Sequence, residues 1–140
     1  MSARRPEEVL VIVRRGEEFL VLHRAPARGA YWHCVAGGLE PGEDFPEAAA
    51  RELAEETGLV AEPVEIGGAY SYPVDLDPTY RDLLSPGTKE ILVRNFLVDA
   101  PAGWEPRLDG EHDAYVWRPQ ADAAELLFWP EPAQILRSLP

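Results

Sequence analysis

The segment from Asp44 to Gly58 constrains the fold more than any other, because both of its ends carry helix boundary signals. Asp44 suits an N-cap, and Glu47 three residues later completes a capping box. Pro46 is tolerated in the first turn, where its missing amide would have had no partner. Gly58 is placed to take the left-handed conformation that ends a helix. The spacing therefore predicts a helix over 44–57, with Phe45, Ala49 and Leu53 facing a core. The charges run against this helix. Glu52, Glu55 and Glu56 crowd its last turns, at the negative end of the dipole. Glu52 and Glu56 are like-charged i,i+4 neighbours, a pairing that costs roughly 0.2–0.5 kcal/mol. A bound divalent cation is the most economical offset.

Around this helix the pattern is that of strands. Val9–Val13 is an unbroken β-branched and aliphatic run, as expected of a strand buried on both faces. Gly16 lies in a turn, Phe19–His23 returns, and the two form a hairpin. A loop over 24–31 leads to a short strand at Tyr31–Val35 and a turn at Gly37-Gly38. Beyond the helix, Pro63–Tyr72 reads as a strand broken at Gly67-Gly68, which suggests a bulge or a close backbone approach. Residues 73–87 read as a long loop holding a short helical turn, and loops of that length are often functional. Ile91–Val98 and Ala114–Trp117 are further strands, joined by the Pro/Gly-rich connection 99–110. Helices are expected at 120–128 and 131–139. This order implies an α/β fold, a mixed sheet covered by helices on its faces, in a single domain over 1–140.

Composition narrows the classes of function. With 140 residues and a formal net charge of -12, the chain lacks the basic footprint of a protein that grips a nucleic-acid backbone, so DNA is not an expected partner. An acidic chain can still handle a polyphosphate if a metal and a few arginines mask the anion locally. The one cysteine, Cys34, excludes an internal disulfide and reads as a small buried hydrophobe. No run reaches membrane-spanning length and the first residues lack a signal-peptide core, so a soluble cytoplasmic protein, monomer or homodimer, is expected.

Carboxylates are hard oxygen ligands suited to Mg²⁺ or Mn²⁺. Spacings of three and four put Glu52, Glu55 and Glu56 around one helical face. Gly37 would let backbone approach the same point. Arg51 can pair with Glu43 or Glu55 and hold the carboxylates in register. The whole segment Gly37–Leu59, GGLEPGEDFPEAAARELAEETGL, resembles the signature of the Nudix hydrolases, the MutT-like family, at every defining position. The resemblance implies an α/β/α sandwich with a mixed central sheet, hydrolysing a nucleoside diphosphate linked to another group with Mg²⁺ or Mn²⁺. It further implies Glu52 and Glu56 as leading metal ligands, with Glu55 and the Gly37 carbonyl contributing. In this reading Glu52, Glu55 and Arg51 serve catalysis.

Residues outside this segment add candidates. Arg24 lies where many family members carry a phosphate-contacting arginine. Tyr31 and Trp32 are candidates to stack on a base or pterin, and Lys89 and Arg94 are candidate phosphate contacts. The run Gly110–Trp117, GEHDAYVW, resembles the E-H-x-A-Y-x-W stretch of the dihydroneopterin triphosphate pyrophosphatase branch. There the glutamate, here Glu111, is a base or further ligand; His112 reads as orienting the loop by hydrogen bonding rather than as a catalytic group. Phe128-Trp129-Pro130 is similar to the same branch. The expected activity is metal-dependent cleavage of a small diphosphate or triphosphate, such as a nucleoside triphosphate or dihydroneopterin triphosphate, by water attack at phosphorus. The alternative is a non-catalytic nucleotide-binding module on the same scaffold.

Overall fold

Strand β1 (Glu7–Arg15) is the hub of the molecule, which is described by a computed structural model over residues 5–76 and 84–140. It runs parallel to β6 (Glu90–Asp99), in register from Glu7 opposite Leu92 to Arg14 opposite Asp99. Its other edge is shared. The first half pairs antiparallel with β4 (Val35–Gly38), and only Arg14 and Arg15 pair with β2 (Glu18–Arg24). Gly16, at φ 62°, makes the tight turn between them. From there β2 diverges and pairs with β3 (Trp32–His33) and with β7 (His112–Pro119). Outermost, β5 (Val64–Pro73) lies antiparallel to β6 and shifts register between Ile66 and Tyr70, where Gly68 takes φ 84°. The bulge expected at the glycine pair is there.

The apolar run of β1 serves two cores because successive side chains point to opposite faces. Val9, Val11 and Val13 pack with Leu22, Val35 and Phe96 against Ala48, Ala49 and Leu53 of α1 (Phe45–Thr57). Leu10 and Ile12 pack with Val21 and Cys34 against α2 (Gln120–Leu126) and α3 (Pro130–Arg137). The result is a mixed sheet between one helix and two, an α/β/α sandwich. Cys34 is buried, and burial pushes its thiol up to about 12, so it is an inert packing residue. No helix among the described residues is long and apolar enough to cross a membrane.

Three expectations need correction. Gly37 and Gly38 lie within strand β4, paired with Val9 and Glu8, rather than in a turn. The turn falls later, where the Glu43 amide donates to the Glu40 carbonyl and Gly42 sits at φ 79°. Tyr31 precedes β3, and one expected strand is two, because the chain leaves β2 at His33 to join β1 at Val35. Strand β7 extends past Ala114–Trp117 at both ends because β2 pairs with it along its whole length, from Glu18 to Arg24. The long loop begins with a short 3-10 turn at Val74–Leu76, and its residues 77–83 lie outside the described ones.

Candidate active site

Helix α1 is held at both ends as its sequence requires. Asp44 Oδ1 accepts from the Glu47 amide at 2.8 Å, and Glu47 Oε1 accepts from the Asp44 amide at 3.1 Å. Gly58, at φ 81°, donates to the Ala54 carbonyl. So anchored, the helix presents its carboxylates to the start of β4. A Cβ on Gly37 would overlap the Glu52 carboxylate, so this position admits only glycine while Glu52 keeps its place. The requirement is close approach, not an unusual backbone angle.

Arg51 organises the group. Its Nε and Nη2 donate to Glu43 Oε2 and Oε1 at 2.7 and 2.9 Å, a two-pronged grip. Nη1 donates to Glu52 Oε1 at 2.8 Å and Glu55 Oε2 at 3.3 Å, and Nη2 also reaches the Gly38 carbonyl at 2.9 Å. The guanidinium holds the Glu43 carboxyl below its usual range, and Glu43 in return raises Arg51 further. Glu55 shifts the other way, raised by partial burial and by the Glu52 charge.

Glu56 is the deepest carboxylate, 2% exposed. Burial first, then the adjoining Glu52, pushes its carboxyl well above the normal range. One oxygen, Oε1, lies 3.6 Å from His112 Nε2, while Oε2 is buried with no hydrogen-bond partner among the described residues. His112 Nδ1 meets Asp109 Oδ1 at 2.8 Å, so His112 braces its loop against Glu56. A buried carboxylate oxygen with no donor, beside a second carboxylate, fits a hard divalent cation. Among the described residues no three acidic or histidine groups already converge at ligand distances, because Arg51 engages Glu52 and Glu55 instead.

Gly37, Arg51, Glu52 and Glu55 form one wall of a cleft of about 440 Å³, while the buried Glu56 is not among its lining residues. Glu111 faces them from the loop before β7, ion-paired with Arg28, and its carbonyl accepts from the Ala25 amide at 2.9 Å. Arg24 also lines the cleft. Its Nη1 donates to the Tyr31 hydroxyl at 3.1 Å, and its Nε is buried without a partner among the described residues. His33 Nδ1 is in the same condition, and burial lowers that imidazole to about 3, so it is neutral. Tyr31 packs on Phe128 and Trp129 at ring separations of 5.2 and 5.8 Å, and Trp129 closes the cleft with Tyr70, Tyr72 and Glu131.

The family model described as NUDIX domain matches residues 4–139. The chain belongs to this family. The Nudix chain is 35% identical over 125 residues to an octanoyltransferase of Myxococcus xanthus, covering 88% of its own length and 33% of that protein. It spans about a third or less of the first curated relatives that it matches. Among solved structures, the E. coli dihydroneopterin triphosphate pyrophosphohydrolase superposes with a TM-score of 0.83 at 23% identity, covering 99% of this chain and 97% of that one. A Nudix hydrolase structure from Listeria monocytogenes has a TM-score of 0.77 at 27% identity, covering 94% and 90%.

The cleft therefore brings together Gly37, Arg51, Glu52 and Glu55 with Glu111 and Arg24, and Glu56 adjoins Glu52 from beneath the surface. Three residues expected to contact substrate are not among the cleft's lining residues. Trp32 points opposite to His33 from the same short strand and packs edge-on against His23 at 4.8 Å. Arg94 is bound to Glu65 by two hydrogen bonds of 2.6 and 2.5 Å and covers the Phe45 ring at 4.3 Å. Lys89 is exposed beside the start of β6. Arg28, His33, Tyr70, Asp109 and Glu131 line the cleft unannounced. Strand alternation, once β3 was placed, would have separated His33 from Trp32.

Proposed function

We propose that this Nudix chain is a pyrophosphohydrolase dependent on Mg²⁺ or Mn²⁺. Its substrate would be a small soluble phosphate anhydride, a nucleoside triphosphate or dihydroneopterin triphosphate. The observation that carries the reading is Glu56: an acid buried to 2% exposure, with one oxygen lacking a partner among the described residues and lying against Glu52. Glu52, Glu55, Glu56 and the Gly37 carbonyl would hold the cation. When bound, the ion neutralises anhydride oxygens and acidifies water. Arg51 keeps Glu52 and Glu55 in register. Arg24 and Arg28 take the phosphate oxygens that face away from the helix. Glu111 accepts a proton from the water that attacks phosphorus; the new P–O bond forms as the anhydride P–O bond breaks, and the departing phosphate leaves with the electron pair. Positioned general bases of this kind contribute about 10²–10⁴-fold. A cytoplasmic setting and a single domain over 1–140 belong to the same reading.

The test is a hydrolysis panel of nucleoside triphosphates, ADP-ribose, diadenosine polyphosphates and dihydroneopterin triphosphate, each with Mg²⁺ and with EDTA. The reading expects metal-dependent cleavage of the triphosphates that disappears in Glu52→Gln while the fold is kept. A wild-type protein that binds panel members without cleaving any would instead be a nucleotide-binding module on this scaffold.

A further inference from the structure

The end of the cleft away from the carboxylate helix is built differently, from rings and one unpaired acid. Trp129 and Tyr70 line it, and Tyr31 touches both Trp129 and His33, at 5.8 Å in each case. Glu131 lines it too, half-buried, in the first turn of α3. Among the described residues its carboxylate forms no hydrogen bond or ion pair. Pro130 and Pro132 flank it and stiffen that turn, so the acid is presented from a fixed backbone. Tyr70, Glu8 and Glu131 line the same cleft, and the Tyr70 phenol is pushed up by burial first, then by Cys34, Glu8 and Glu131. His33 also lines the cleft. It is 9% exposed and neutral, and its Nδ1 lacks a partner among the described residues.

We propose that this end of the cleft takes a flat heterocycle whose edge carries a ring N–H beside an exocyclic amine, with Glu131 as acceptor. The inference rests on the phosphate-anhydride reading above for the rest of the ligand. A carboxylate only accepts, and two parallel N–H donors satisfy both of its oxygens. Guanine and the pterin ring both offer that pair. Adenine and cytosine set an amine beside an acceptor nitrogen, and uracil flanks its one N–H with two carbonyls. In each of these a lone pair would face the carboxylate. The Trp129 and Tyr31 planes cross at 82°, so one ring offers the heterocycle its face and the other its edge, and the neutral His33 imidazole supplies a further polar contact without adding charge.

Calorimetric titration with nucleoside monophosphates tests this without turnover. GMP and IMP differ only by the exocyclic amine. GMP should bind wild type tenfold to a hundredfold more tightly than IMP, the range set by one charge-assisted hydrogen bond. Glu131→Gln should bring the two within about threefold, with its melting temperature unchanged. Dihydroneopterin monophosphate forms the second arm, and the tighter of it and GMP identifies the source of the ring. Equal binding of GMP and IMP by wild type overturns the proposal. So does a preference for GMP that survives Glu131→Gln, or no binding of either GMP or the pterin. If the preference holds while wild type with Mg²⁺ cleaves no triphosphate, the hydrolase reading fails and the heterocycle pocket stands.

Discussion

Arg51 grips Glu43 with two parallel hydrogen bonds, of 2.7 and 2.9 Å, and turns its remaining nitrogen to Glu52 and Glu55. The brace is chemical as well as structural: it uses the planar fork that lysine lacks. Arg51→Lys should keep the fold but lower kcat/KM by roughly 10²-fold, an amount equal to about 3 kcal/mol of transition-state positioning. Steady-state kinetics beside circular dichroism checks both halves. Unchanged kinetics would remove Arg51 from the machinery.

Gly37 and Glu52 are in similarly tight relation. In Gly37→Ala the methyl group would meet the Glu52 carboxylate, which must then leave its place. The backbone at 37 is not in the left-handed region, so overpacking is the main penalty, about 1–3 kcal/mol. The expected outcome is a folded protein with a modestly lower melting temperature and turnover reduced beyond 10²-fold.

Two acids of the site should shape stability against pH in opposite ways. Glu43 is lowered by Arg51, so its contribution is present above the ordinary carboxylate pKa of 4.5 and is lost as pH falls through its depressed value. Glu56 is raised by burial, so the folded state favours its protonated form; that contribution is complete below 4.5 and is lost as pH rises through the elevated value. In EDTA, Glu43→Gln should lower the melting temperature near neutrality and leave it little changed in acid. Glu56→Gln should raise it near neutrality, because the amide removes a charge that burial disfavours. Melting curves across pH decide the sign of each.

Much of this site was legible because its helix obeys local rules. Asp44, Glu47 and Gly58 are boundary signals whose meaning needs no tertiary context, and the spacing of Glu52, Glu55 and Glu56 follows from helical geometry. The cleft's other wall was not legible in the same way. Arg28, His33 and Glu131 come from three separate loops and ends, brought together by the divergence of β2 from β1. Trp32 and Arg94 looked suitable by residue type, but strand alternation turned one toward α2 and the other toward Phe45. The Gly37-Gly38 pair carried a turn signal, yet it is there to admit Glu52.

Glu111 should act at the chemical step. Glu111→Gln keeps its size and its place beside Arg28 but cannot take a proton. A fall in kcat of about 10²–10³-fold with little change in KM is expected. A change confined to KM would make it a binding residue.

The most direct test of the account is phosphorus NMR of a nucleoside triphosphate incubated with wild type and Glu56→Gln, each with Mg²⁺ and with EDTA. Anhydride cleavage should occur only for wild type with Mg²⁺, while Glu56→Gln remains folded and silent. Equal cleavage in EDTA, or full activity of Glu56→Gln, would contradict a cation site centred on this buried acid.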